Sequence, residues 1–304
     1  MPEEMNTFED QLRSYQNTLN GSLLHAFMDE EPCHDLTTEA AMYSLIAGGK
    51  RIRPVLMLAV SDMLQVSDAD ILPFACAIEM IHTYSLIHDD LPCMDNDDTR
   101  RGQPTCHVKY SEAMALLAGD ALLNRAYEIL FEACLDGNSG KLKAAQYLSS
   151  MSGIKGMIGG QTMDIICAGK KISEAVLTEM HRKKTGCLLS ASIVIPVFLQ
   201  KIHDPISNLE IRLNRFSEHI GLGFQIKDDL LDVTSTKEIL GKNIGKDEAE
   251  DKSTFVTLFG MEKAQELLIE EMMQAQYELI QLKSEGYDTG FLENLSQYLL
   301  NREK

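Results

Sequence analysis

Apolar residues in this chain recur three and four positions apart almost from end to end, and no stretch alternates them with polar residues in the period of a strand. That pattern restricts the fold to packed helices. The spacing predicts helices over 4–31, 35–47, 53–65, 71–90, 107–134, 140–168, 173–197, 205–234, 252–284 and 289–302. Gly48-Gly49, Pro54, Pro73, the run DGNSG at 136–140 and Pro205 punctuate them. Several of these segments, 71–90 above all, are apolar nearly all round, as a helix surrounded by other helices must be. No repeat and no linker-like run breaks the pattern, so the expectation is one large all-α domain over 1–304.

Charge narrows the partners. The 304 residues carry a formal net charge of −18 with no basic stripe to offset it, which argues against nucleic acid. The same field repels anions at long range, so an anionic substrate needs local arginines, lysines or bound metal to hold it. Seven cysteines, at 33, 76, 93, 106, 134, 167 and 187, form no CxxC pair and no zinc spacing. They read as reduced thiols, and the chain as cytoplasmic. The opening MPEEMNTFED has no signal-peptide core, and the longest apolar run, LLSASIVIPVFL, is too short for a bilayer. No transmembrane segment is expected.

Against that background one stretch stands out. Residues 89–98 hold five aspartates in ten positions, and Arg100, Arg101 and Gly102 follow at once. On the apolar helix that leads into them, Ile78, His82, Ser85 and Asp89 share a face. Pro92 ends the regular helix and lets the chain turn Asp95 back toward Asp89. Packed carboxylates cost free energy unless a cation compensates them, and oxygen-only ligands of this kind suit Mg²⁺. A solvated acidic loop is the competing reading. A second cluster counts against it: in GFQIKDDLLDVT, Asp228 and Asp232 lie four apart on a helix, with Gln225 three before Asp228. If the two groups face each other across a cavity, they can bind several Mg²⁺ ions and one diphosphate between them.

Basic residues supply the counterpart. AGGKRIRPVL at 47–56 sets Lys50, Arg51 and Arg53 after a glycine pair and just before Pro54, which suits a helix start and hence an anion site. Arg100 and Arg101 add two guanidiniums able to grip phosphate oxygens in pairs. RKKTG at 182–186 and GKNIGKDEAEDKST at 241–254 offer Lys184, Thr185, Lys242 and Lys252, and the glycines of the latter segment suggest a flap. GGQTMD places Gln161 and Asp164 on one helix face, either lining the same cavity or closing a core network.

Together these motifs resemble the trans-type polyprenyl diphosphate synthases, and among them the bacterial farnesyl diphosphate synthases. GGKRIRP, EMIHTYSLIHDDLPCMDNDD, RRGQPT, LAGDALL, GGQTMD, KTG, FQIKDDLLD, LGKNIGKD and KST carry the likeness over nearly the whole length. The resemblance implies a helical bundle of the isoprenoid synthase type around a deep central cavity, usually in a homodimer. It implies Asp89 and Asp95, with Asp90 beside them, as Mg²⁺ ligands next to an allylic diphosphate. Asp228, with Asp229 and Asp232, corresponds to the second carboxylate group, and three ions are expected per loaded site. Lys50, Arg53, His82 and Arg101 correspond to the isopentenyl diphosphate site. Arg100, Lys184, Thr185, Gln225 and Lys242 correspond to contacts with the allylic substrate. The implied reaction joins isopentenyl diphosphate head to tail to dimethylallyl or geranyl diphosphate.

Product length turns on the helix above the first cluster. Tyr84 lies five residues before Asp89, roughly 7.5 Å deeper at about 1.5 Å per residue. By geometry alone, Tyr84 and Ser85 remain alternative floors for a growing chain. In similar synthases an aromatic at this position goes with a fifteen-carbon product, so farnesyl diphosphate is expected. A geranylgeranyl diphosphate synthase and a noncatalytic partner subunit are the alternatives. A class I terpene cyclase would need an Asn/Ser/Glu metal motif where DDLLD stands, and a helical metal-storage protein would need Glu and His ligands and no arginine pair.

Overall fold

The computed structural model describes residues 7–27, 36–200, 208–234 and 253–301. Helices dominate, and the described residues divide into two compact units, Met1–Ala145 and Gln146–Lys304.

The first unit is built on α1 (Phe8–Phe27), α2 (Leu36–Ile46), α3 (Ile52–Met63), α4 (Asp68–Asp89), a short α5 (Cys106–Lys109) and α6 (Glu112–Ala133). Helix α4 is its axis. It packs most extensively on α6 and then on α3, burying Ile71, Phe74, Ile78, Met80, Ile81 and Ile87. Among the described residues α4 is the helix long and apolar enough to cross a bilayer by length and composition, and 67% of its apolar window is buried inside the protein. Helix α6 meets it with small residues, Ala115, Ala118, Gly119 and Ala126, all fully or nearly fully buried. At Gly119 the missing side chain leaves a seat for the His88 imidazole, whose Nε2 lies 3.0 Å from the Leu116 carbonyl.

Helix α7 (Ser139–Ser152) runs across the unit boundary. The second unit continues with α8 (Met157–Cys167), α9 (Glu174–His181), a π-helical turn at Arg182–Gly186, α10 (Cys187–Leu199), α11 (Leu209–Thr234), α12 (Phe255–Phe259), α13 (Met261–Ser284) and α14 (Gly290–Asn301). Here α11 against α13 is the largest packing surface. Helix α10, apolar on every side, is buried from Leu188 to Val197 almost without a break, Pro196 included.

Three predicted helices prove to be pairs. The segment 107–134 breaks at Tyr110-Ser111, where Ser111 (φ 137°) accepts a bond from the Met114 amide and caps α6. The segment 140–168 breaks between Gly153 and Gly156, and 252–284 breaks at Gly260, whose φ of 81° no helix accommodates. The segment 173–197 is continuous, but its middle is wound wider than an α-helix at Arg182–Gly186. One hairpin appears where no strand is predicted: Thr99–Arg100 pairs antiparallel with Gln103–Pro104 around Arg101 and Gly102, both at positive φ. Two-residue strands are too short for any periodicity to show.

Candidate active site

In the first unit the glycine pair decides the local path. Gly48 (φ 82°) and Gly49 (φ 120°) carry the chain through backbone angles that favour glycine, and any side chain on Gly49 would run into the Arg101 guanidinium. Arg101 reaches in from the hairpin and donates to the Gly48 carbonyl. Arg51, itself at φ 54°, turns its side chain inward at the start of α3. Two residues on, Arg53 brings Nη1 to 3.4 Å from His82 Nε2 on α4. Lys50 stands in the same loop, its carbonyl accepting from Gln16 at 3.0 Å. Burial, and then the guanidiniums of Arg53, Arg101, Arg100 and Arg51, hold His82 well below its ordinary pKa. The ring is therefore neutral, with Nε2 able to accept from Arg53. Guanidiniums gathered about a neutral imidazole attract an anion with several oxygens.

The aspartates follow on the same helix. After Asp89 the chain doubles back: the Asp95 amide donates to the Asp89 carbonyl at 2.8 Å, and the Asp97 amide to the Asp90 carbonyl at 3.2 Å. Asp89 and Asp95 are partly exposed, whereas Asp90 is buried. Arg100 Nε donates to both Asp90 oxygens at 2.8 and 2.9 Å, and Nη2 adds a bond of 2.6 Å. Sequence spacing groups Asp90 with its neighbours; the fold gives its carboxylate to Arg100. One turn deeper, Tyr84 is 6% exposed, its ring edge-on to His88 at 5.7 Å and its hydroxyl without a hydrogen-bond partner. Burial, with Tyr127 and Asp89 adding to it, pushes the phenol up to about 12. Ser85 turns its hydroxyl back to the His82 carbonyl at 2.8 Å.

The second unit assembles its own constellation on the π turn. Gly160 of α8 admits the backbone of Lys184, which a side chain there would block. Lys184 Nζ meets Asp164 at 2.5 Å. Asp164 is tied to the lysine, while Gln161 Oε1 is buried without a hydrogen-bond partner. Thr185 donates to Gln225 Oε1 at 3.0 Å, Gln225 Nε2 donates to Asp229 at 3.2 Å, and the Phe255 amide donates to the other Asp229 oxygen at 2.8 Å. Asp229 is 3% exposed, so it pins Gln225 and the start of α12. Asp228 is partly exposed and Asp232 buried, on neighbouring turns of α11. Lys242 and the flap up to residue 252 lie outside the described residues; of its end, Ser253 donates to the Lys170 carbonyl at 3.0 Å.

Among the described residues, no three His, Cys, Asp or Glu side chains close into a ready-made metal cage. Mg²⁺ is commonly held by one or two carboxylates, with water and substrate phosphates completing its shell. The partly exposed Asp89 and Asp95 in one unit, and Asp228 in the other, are donors of that kind.

One buried histidine gives a stability test. His181 is 8% exposed, stacked on Phe255 at 5.7 Å, and its Nε2 has no hydrogen-bond partner. Burial lowers its pKa from 6.5 to about 4. The unfolded chain therefore takes up this proton from pH 6.5 downward while the folded one resists until about 4. The stabilising contribution is complete above that window and shrinks as pH falls through it, by about 2 kcal/mol at pH 5. His181→Gln should show a smaller drop in thermal midpoint between pH 7 and pH 5 than the parent; equal drops would contradict a neutral, buried ring.

The helices and their connections form the all-α isoprenoid synthase fold. A geranyltransferase from Helicobacter pylori, solved with magnesium and isoprenyl diphosphate, superposes with a TM-score of 0.82 at 35% identity, covering 98% of each chain. The chain belongs to the polyprenyl synthetase family, whose model matches residues 34–288. It is 42% identical over 292 residues to the farnesyl diphosphate synthase of Micrococcus luteus, 96% of this chain and 97% of that one. It is also 42% identical over 275 residues to a chloroplastic geranylgeranyl pyrophosphate synthase of Capsicum annuum, 90% of this chain and 72% of that one.

Spacing alone missed Glu79 and Gly119. Glu79 sits inside an apolar run where a lone carboxylate attracts no notice. Asp164, which the motif places on one helix face with Gln161, finds its partner 20 residues away, a pairing that helical spacing does not register.

Proposed function

We propose that this chain is a Mg²⁺-dependent prenyltransferase that condenses isopentenyl diphosphate with dimethylallyl or geranyl diphosphate to give farnesyl diphosphate. The observation that carries this reading is the pairing of two chemistries in the first unit. A guanidinium-rich pocket suited to one diphosphate adjoins partly exposed aspartates suited to a metal-held second one. The whole of 1–304 acts as one catalytic domain, since the family model runs through the boundary between the two units.

The slow step is loss of diphosphate from the allylic substrate to leave a carbocation. Bound Mg²⁺, proposed as three ions, would neutralise the charge growing on the departing oxygens. Asp89, Asp95, Asp228 and Asp232 would hold the ions, while Asp90 and Asp229 orient Arg100 and Gln225. Arg100, Lys184 and Lys242 bind the same diphosphate as fixed positive charge. Thr185 and Gln225 turn their oxygen dipoles toward the cation. Lys50, Arg53, His82 and Arg101 hold isopentenyl diphosphate so that its double bond lies within reach, and that positioning is a large part of the rate. Attack forms the new C–C bond, and a proton then leaves to the released diphosphate. The enzyme works as a homodimer, a reading supported by the exposed Leu116, Leu117 and Phe131 on α6. It works in a reducing, cytoplasmic setting, consistent with six free cysteines among the described residues.

The test is direct. Purified protein given Mg²⁺, geranyl diphosphate and labelled isopentenyl diphosphate should yield a fifteen-carbon product and none without metal. A twenty-carbon product would move the assignment to geranylgeranyl diphosphate synthesis, for which the Capsicum relative is the supporting observation. No product would remove the catalytic reading. The division of substrates has its own check: Arg101→Ala should raise KM for isopentenyl diphosphate more than KM for the allylic substrate. Equal rises would show that the division is wrong.

A further inference from the structure

Beneath the basic loop lies an ion pair that the reaction does not use. Arg51 Nη1 meets Glu79 Oε1 at 2.6 Å, with side chains 3% and 2% exposed. The same guanidinium donates through Nη2 to the Leu45 carbonyl at 2.6 Å. One side chain thus joins three elements: the end of α2, the loop that starts α3, and the middle of α4. A buried pair of charges is weak evidence of stability, because apolar replacements of similar volume often do as well. What it does supply is a fixed distance between the elements it joins.

The residues around it are those assigned to isopentenyl diphosphate. Lys50 precedes Arg51 and Arg53 follows two residues later; His82 is one turn past Glu79 on α4. Arg101 is held by the carbonyl of Gly48 in the same loop. Arg51 sits in a left-handed backbone conformation (φ 54°) and is buried, while Lys50 and Arg53 on either side of the Arg51-Ile52 pair stay partly exposed. Glu79 keeps one oxygen, Oε2, without a hydrogen-bond partner in the buried site, an arrangement poorly explained by stability alone.

We infer that the Arg51–Glu79 pair is a positioning device for the isopentenyl diphosphate pocket: it sets the height of the Gly48–Arg53 loop over α4, and with it Lys50, Arg53 and Arg101 against His82. Neither residue touches substrate. The inference rests on the reading of that loop as the isopentenyl diphosphate site.

The experiment compares four variants by steady-state kinetics and thermal midpoint. Arg51→Met should raise KM for isopentenyl diphosphate about tenfold or more, with the allylic KM within about twofold of the parent, because ångström-scale misplacement of binding groups is costly. The milder Arg51→Lys, which can reach Glu79 or Leu45 but not both, should give a rise of about threefold and keep the fold. The double variant Arg51→Met/Glu79→Leu removes both charges and should regain the parental midpoint, yet keep the raised KM. A purely structural pair would return KM to normal along with the midpoint, and that result, or a parental KM in Arg51→Lys, overturns the inference. Lys50→Ala separates the two levels. If it leaves KM for isopentenyl diphosphate unchanged, the assignment of the loop fails. If it raises KM while the Arg51 variants do not, only the positioning role falls.

Discussion

Asp89→Asn and Asp228→Asn are each expected to lower turnover by at least about a hundredfold, the scale on which loss of one electrostatic stabiliser is felt. Helical circular dichroism should stay as in the parent. Both positions are partly exposed, and a carboxylate among other carboxylates is a liability to folding until a cation arrives. Removing one charge costs the folded chain little and the reaction much. Asp90 and Asp229 are buried instead. Their oxygens are bound by Arg100, and by Gln225 and the Phe255 amide, so their loss should disturb local structure as well as rate. Near-parental turnover in both Asp89→Asn and Asp228→Asn, with an unchanged spectrum, would sink a mechanism built on two metal-holding groups.

The second large effect concerns product length. Tyr84→Ala is expected to convert a fifteen-carbon product into twenty-carbon or longer ones with catalysis largely retained. The ring is buried inside α4, edge-on to His88, and His88 is seated on Gly119 of α6. The imidazole it packs against is thus the one held between the two helices. The hydroxyl has no hydrogen-bond partner to lose, so deletion removes bulk without stranding a polar group. Ser85, the other residue at this depth, is small and bonded back to the His82 carbonyl, so Tyr84 is the residue to test. Sizing the products of the active variant decides the matter. A product that still stops at fifteen carbons would assign the floor to another residue.

Helical periodicity was enough for the all-α class, because each helix hides one or more apolar faces and the three- and four-residue spacing records it. The turn at Pro92 was legible for a similar reason, since proline cannot continue the helix hydrogen-bond ladder. Interruptions inside long apolar segments were not legible. Ser111 and Gly260 end helices by backbone angle, and Arg182–Gly186 widens one by a shift in hydrogen-bond register; neither changes the apolar pattern. Motif spacing gathered the aspartates but could not tell Asp89 from Asp90 or Asp228 from Asp229. Adjacent residues on a helix point about 100° apart, and which of them turns inward depends on partners far along the chain, Arg100 and Phe255 here.

The most direct measurement is a crystal structure with Mg²⁺ and an allylic thiolodiphosphate that cannot ionise. The account predicts metal ions about 2.0–2.1 Å from oxygens of Asp89, Asp95 and Asp228 and from the diphosphate, with Asp90 still on Arg100 and Asp229 still on Gln225 and the Phe255 amide. Diphosphate bound without metal at these aspartates, or metal held by Asp90 and Asp229 with their present partners displaced, would contradict it.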